Sequence, residues 1–91
     1  LKTKFRIKEV KRNGQSEFYP QIKIPENKKI NFNYEVDGKW LTIKNFNLPK
    51  ESPKFRPSNY NSIEECKELI DEFKINLNVY IVKEKIIIHE I

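Results

Sequence analysis

Ser62-Ile63-Glu64-Glu65-Cys66-Lys67-Glu68-Leu69-Ile70-Asp71-Glu72-Phe73-Lys74 decides the fold, because only here do apolar residues recur at helical rather than strand spacing. Plotted at about 100° per residue, Ile63, Cys66, Leu69, Ile70 and Phe73 gather within an arc of about 120°. The helix therefore has one apolar face. Ser62 opens it with a capping box, its hydroxyl accepting from the Glu65 N–H while the Glu65 carboxylate reaches back to the Ser62 N–H. Glu64 and Glu65 also sit where the helix dipole favours negative charge. The rest of the chain alternates with period two or is loop, so this helix is predicted to lie across a sheet and to supply half of its core.

Before the helix, residues 3–12 alternate, with Phe5 and Ile7 set against Lys4, Arg6 and Lys8, and Asn13-Gly14 then gives a two-residue hairpin turn into 15–24. That turn pairs Phe5 with Ile22, Ile7 with Pro20 and Glu9 with Phe18. Slipping it by one residue would mix apolar and charged side chains on each face. Pro20 lacks the N–H that would point away from the first strand, which predicts an edge or a bulge at that point. Residues 30–36 alternate again, and Asp37-Gly38 is read as the turn of a second hairpin with 39–46 that sets Tyr34 against Leu41 and Phe32 against Ile43. Trp40, Thr42 and Lys44 then face outward.

Residues 47–61 have no periodicity and contain Pro49, Pro53 and Pro57, so they form a long loop. Lys54, Phe55 and Arg56 give that loop a basic and aromatic character suited to a binding surface. After the helix, 76–82 and 85–91 are expected to make a third hairpin through Lys83-Glu84 or a three-residue loop. Its alternation fails, since Ile86, Ile87 and Ile88 run consecutively, so both of its faces are expected to be buried, the second of them under the loop or another subunit. A homodimer through Tyr80, Val82 and Ile87 would cover one of them.

The whole is expected to be an α+β domain spanning 1–91: an antiparallel sheet of about six strands from three hairpins, with one amphipathic helix packed on one face. Ninety-one residues suffice for one core and are too few for two. No apolar run reaches the roughly 20 residues that span a bilayer, and the Lys/Arg-rich start has no apolar stretch behind it, so the expectation is a cytoplasmic protein without membrane contact. Lys, Ile and Asn fill 38 of 91 positions while Ala and Met are absent, a bias that AT-rich codons produce. The net charge of +5 is unevenly spread. The helix carries five acidic residues against Lys67 and Lys74, so the remainder is strongly basic and the two faces should differ in sign.

No pattern of catalytic residues is present. Both glycines serve hairpin turns, which leaves no Gly-rich phosphate loop and no nucleophile elbow. The single cysteine, Cys66, lies on the apolar helix face, and His89 has no second histidine or cysteine at ligand spacing. The expectation is a non-enzyme without metal or cofactor. Two binding surfaces remain. Glu64, Glu68, Asp71 and Glu72 project from the outer helix face, where rows of carboxylates could imitate a phosphate backbone and dock on a basic protein groove. Lys4, Arg6, Lys8 and Lys23 form a stripe with Tyr19 on one sheet face, the alternative surface, suited to nucleic acid.

Three short stretches also carry a likeness. Phe5-Arg6-Ile7-Lys8, the hairpin Asn13-Gly14 leading to Tyr19-Pro20-Gln21-Ile22-Lys23, and Tyr60-Asn61-Ser62-Ile63-Glu64-Glu65-Cys66 together resemble small phage and prophage proteins of AT-rich bacteria, over about half of the chain. That resemblance implies an accessory role in phage or mobile-element biology and names no partner; the preferred expectation is a non-catalytic protein that binds a host protein, with inhibition of that protein as one outcome. The sheet-then-helix order is similar to the arm-site DNA-binding domains of phage integrases, which end at the helix.

Overall fold

In the computed structural model, which describes residues 3–25, 28–45 and 60–91, Asn13 and Gly14 both take positive φ, 52° and 77°. This is the type I′ pattern, whose twist matches that of the flanking strands. It fixes the pairing of β1 (Lys4–Arg12) with β2 (Gln15–Lys23) along their whole length, with Phe5 opposite Ile22, Ile7 opposite Pro20 and Glu9 opposite Phe18. The first hairpin has the register read from its turn.

The second hairpin is displaced by one residue. Its turn is Gly38-Lys39, with only Gly38 at positive φ, 62°. A glycine at the first central position is the type II′ arrangement, whereas the sequence reading had placed Gly38 second. β4 (Asn33–Asp37) therefore sets Tyr34 opposite Ile43 and Val36 opposite Leu41 on β5 (Trp40–Asn45). The displacement moves each partner by two, so no side chain changes face.

β1, β2, β5 and β4 form one antiparallel sheet in that order. β5 meets β2 only at Gln21–Thr42 and Ile22–Leu41, and Tyr60 bridges Phe18 on β2 through two backbone hydrogen bonds of 2.8 and 2.9 Å. Pro20 falls in the gap between these two neighbours, so its missing N–H breaks no ladder bond. The expected strand 30–36 is interrupted. Asn31 turns away, its backbone N–H donating to the Tyr80 carbonyl at 2.8 Å and its side-chain amide to the Val79 carbonyl at 3.1 Å. β3 (Lys28–Ile30) is thereby drawn off to a second, two-stranded sheet with β6 (Ile81–Lys83).

The helix and six antiparallel strands are thus present as an α+β fold, but the third hairpin is not. Where 76–82 was read as a strand, Leu77–Tyr80 form a short helix, α2, and β6 pairs with β3 instead of with 85–91. The main helix, α1, spans Ile63–Ile75. Ser62 caps it, its hydroxyl accepting from the Glu65 N–H at 3.2 Å, while the Glu65 carboxylate accepts from the Asn61 N–H rather than that of Ser62. Cys66, Leu69, Ile70 and Phe73 are buried, but Ile63, in the first turn, is exposed.

Phe73 is the centre of the core. Tyr80 stacks on it at 4.7 Å between ring centroids, and Phe32 and Phe5 meet it edge-on at 5.1 and 6.2 Å. Ile22, Ile43, Leu69 and Ile81 complete the buried cluster. Each such side chain contributes roughly 1.5–3 kcal/mol by leaving water, and well-oriented aromatic pairs add about 0.5–1.5 kcal/mol. Among the described residues no helix is long and apolar enough to cross a membrane.

Candidate functional site

The register of the first hairpin places Lys4, Arg6, Lys8, Tyr19, Gln21 and Lys23 on the sheet face turned away from α1. This face is a built layer rather than loose charge. Arg6 Nε donates to Gln21 Oε1 at 2.6 Å, and Gln21 Nε2 donates to Asp37 Oδ2 at 2.7 Å and Thr42 Oγ1 at 3.0 Å. Lys8 Nζ donates to the same Asp37 oxygen at 2.6 Å. The Arg6 guanidinium lies 4.2 Å from the centre of the Trp40 ring. Long amphipathic stems cover the layer, so Gln21 and Thr42 are buried on the side that alternation marked as solvent-facing. No buried side-chain polar atom among the described residues lacks a partner.

The charges of this face are largely answered from within it. The hydrogen bonds from Lys8 and then Gln21 hold the Asp37 carboxyl below its ordinary range. Tyr19 donates to Glu17, which raises the phenol's pKa. Beside them lies a cleft of about 280 Å³ lined by Lys8, Arg12, Tyr19, Glu35, Asp37 and Thr42. Of the four cations in the basic stripe, Arg6 and Lys8 are engaged and Lys4 and Lys23 face water or its margin. A phosphate approaching here meets Glu17, Glu35 and Asp37 and must compete with Asp37 for Lys8.

On the outer side of α1, Glu64, Glu68 and Asp71 are exposed and Glu72 is half-buried. Glu64, Glu68 and Asp71 make no ion pair among the described residues. The structure thus keeps the acidic row on the side opposite the basic sheet face, as the charge pattern implied. Lys54, Phe55 and Arg56 lie outside the described residues. Burial, with a smaller contribution from Glu65, pushes the Cys66 thiol up to about 11, so it is a packed hydrophobe and no nucleophile near neutral pH.

The feature that sequence reasoning misassigned follows β6. Residues 84–91 carry no helix, strand pairing, turn or bend, and every one of them is exposed. Ile86, Ile87, Ile88 and Ile91 show between 62% and 123% of their reference surface to solvent. Tyr80, expected on a dimer face of the third hairpin, is instead buried against Phe73, while Val82 and Ile87 are exposed. The signal that could have separated arm from hairpin is the turn itself: Lys83-Glu84 offers none of the Gly, Asn or Asp chemistry that both real hairpins use.

Among the described residues no group of three or more His, Cys, Asp or Glu side chains is placed to hold a metal ion. Comparison of the chain with family models, curated proteins and solved structures found no match. The likeness to phage proteins stays a matter of the short stretches that carry it.

Proposed function

We propose that this is a non-catalytic protein-binding module that engages another chain through residues 84–91, which add as a strand to that chain's sheet. The single observation that carries this reading is the run of exposed isoleucines outside any sheet. Isoleucine has high strand propensity, and its unpaired backbone leaves donors and acceptors that a partner strand satisfies. Covering each such side chain contributes roughly 1.5–3 kcal/mol, which the chain itself leaves unused. The acidic row of Glu64, Glu68 and Asp71 supplies charge that steers a basic partner before contact.

Nucleic acid on the open sheet face is the second reading. It is favoured by Lys4, Lys23 and Tyr19 sharing one side, and disfavoured by the three carboxylates among them. Affinity capture separates the readings. The variant Ile86→Ser with Ile87→Ser and Ile88→Ser should stay folded and lose the captured protein, whereas an unchanged captured set would reject the arm. Replacing Glu64, Glu68 and Asp71 by Ala should slow association at low salt and leave the captured protein the same.

A further inference from the structure

We infer that the outer edge of β1 is a second interaction surface, which receives from another protein a strand alternating acidic and β-branched residues. It is separate from the arm, which lends a strand where β1 takes one. The N–H and C=O of Phe18 both bond to Tyr60, on the side of β2 away from β1. Glu9 opposite Phe18 is therefore a non-hydrogen-bonded pair. The alternation of an antiparallel ladder then turns the N–H and C=O of Phe5, Ile7, Glu9 and Lys11 outward. β1 is the end strand of its sheet, and among the described residues none of these outward groups has a partner.

The two edges of the sheet differ. β4 has five residues and a register irregularity between Asn33 and Tyr34, the shortness and kink that keep strands from adding, and it carries Glu35 and Asp37. β1 runs nine residues without irregularity or proline. Its charges select the occupant. Lys4 and Arg12 are exposed with no ion pair among the described residues, and Arg6 is held by the neutral Gln21 and Trp40. On the opposite face Phe5 and Ile7 are half-buried. Lysine and arginine keep most strands off an edge. A strand with carboxylates opposite Lys4 and Arg6 and β-branched residues opposite Phe5 and Ile7 instead turns the same charges into cross-strand attraction. Its main chain satisfies the outward groups, which is the way strand addition supplies affinity.

Fluorescence anisotropy of a labelled peptide alternating Glu and Val, titrated with the full chain, tests this. In the inferred geometry the Val residues lie opposite Phe5 and Ile7, so their N–H groups face β1 and those of the Glu residues face water. The alternating peptide should bind, and more weakly as salt rises. N-methylation of its Val nitrogens should weaken binding by at least about tenfold, whereas N-methylation of its Glu nitrogens should leave binding unchanged. Glu9→Pro removes an outward donor at an exposed position and no backbone bond to β2, so it should match the Val methylation while keeping the fold. The methylated peptides decide the matter on the unaltered chain even where that variant does not fold. The variant Ile86→Ser with Ile87→Ser and Ile88→Ser should bind the peptide as the unaltered chain does. No binding at about 100 µM chain, equal binding by a peptide of the same composition with its Glu residues gathered at one end, or insensitivity to Val methylation would each overturn the inference. A loss seen only in the isoleucine variant would assign the peptide to the arm and overturn it as well.

Discussion

β1 with β2, and residues 76–91, are two stretches rich in strand-forming residues, yet one is paired along all nine positions and the other holds three paired residues and a bare arm. Propensity does not separate them. The first has a turn whose two residues accept positive φ and an alternation that sets Phe5, Ile7, Phe18 and Ile22 on one face, so local geometry and burial demand the same register. The second has Lys83-Glu84 where a turn would be needed and isoleucines on successive positions, so no fold-back buries them all. A strand without a turn waits for a partner from elsewhere: β3 supplies one for 81–83, and nothing in the described chain supplies one for 84–91.

The sharpest way to break this contrast is to ask which region stability depends on. Phe73→Ala removes the ring on which Tyr80, Phe32 and Phe5 converge and should cost about 3–5 kcal/mol in denaturant melts, with Leu69→Ala at about 2–5. Ile87→Ser in the arm should change the same melts by no more than about 0.5 kcal/mol at low protein concentration. Comparable losses would mean that the arm is part of the core. Next in size is the turn. Ala at Gly14 meets no atom within 4 Å, so its cost is the positive φ alone, about 1–2 kcal/mol, and the hairpin should keep its register.

Acid provides a third probe, confined to the sheet face. Because the Asp37 pKa is lowered in the fold, its contribution is complete above the unfolded carboxyl value and is lost as pH falls through the folded one. Asp37→Asn should therefore flatten the stability curve below about pH 4 and leave the neutral region unaffected by that titration. An acid limb of unchanged slope would show that Lys8 and Gln21 do not hold the carboxylate in solution. The smallest expected effect is on nucleic acid. With Arg6 and Lys8 engaged, a stripe that binds through Lys4 and Lys23 alone should have a log-log salt slope near about −1.8, half that of a stripe in which all four cations neutralise phosphate. A slope near about −3.6 would show that Arg6 and Lys8 are released.

How legible the fold was follows the same division. The helix, its serine cap and the first hairpin's register were readable because one turn and one periodicity settle each. The second hairpin's turn was misplaced by one residue because Asp-Gly fits type I′ as well as Gly-Lys fits type II′, and no alternation distinguishes them. β3 and β6 have three residues each and lie about fifty apart, too short for periodicity and too distant for turn chemistry, so only Asn31's bonds to the Val79 and Tyr80 carbonyls reveal why they meet. On the sheet face, period two put Gln21 and Thr42 outside correctly, but it carries no information that Arg6 and Trp40 fold over them. Of the acidic row, Glu64, Glu68 and Asp71 are exposed on α1 as periodicity implies, whereas Glu72 is half-buried.

Backbone amide hydrogen exchange, read residue by residue at about 1 µM and about 200 µM chain, probes both regions in one experiment. The β1 and β2 amides should be protected equally at both concentrations. The amides of 85–91 should exchange at unstructured rates in the chain by itself. Protection of the arm comparable with that of β1 and β2 at the lower concentration would contradict the reading of these residues as a strand left open for another chain.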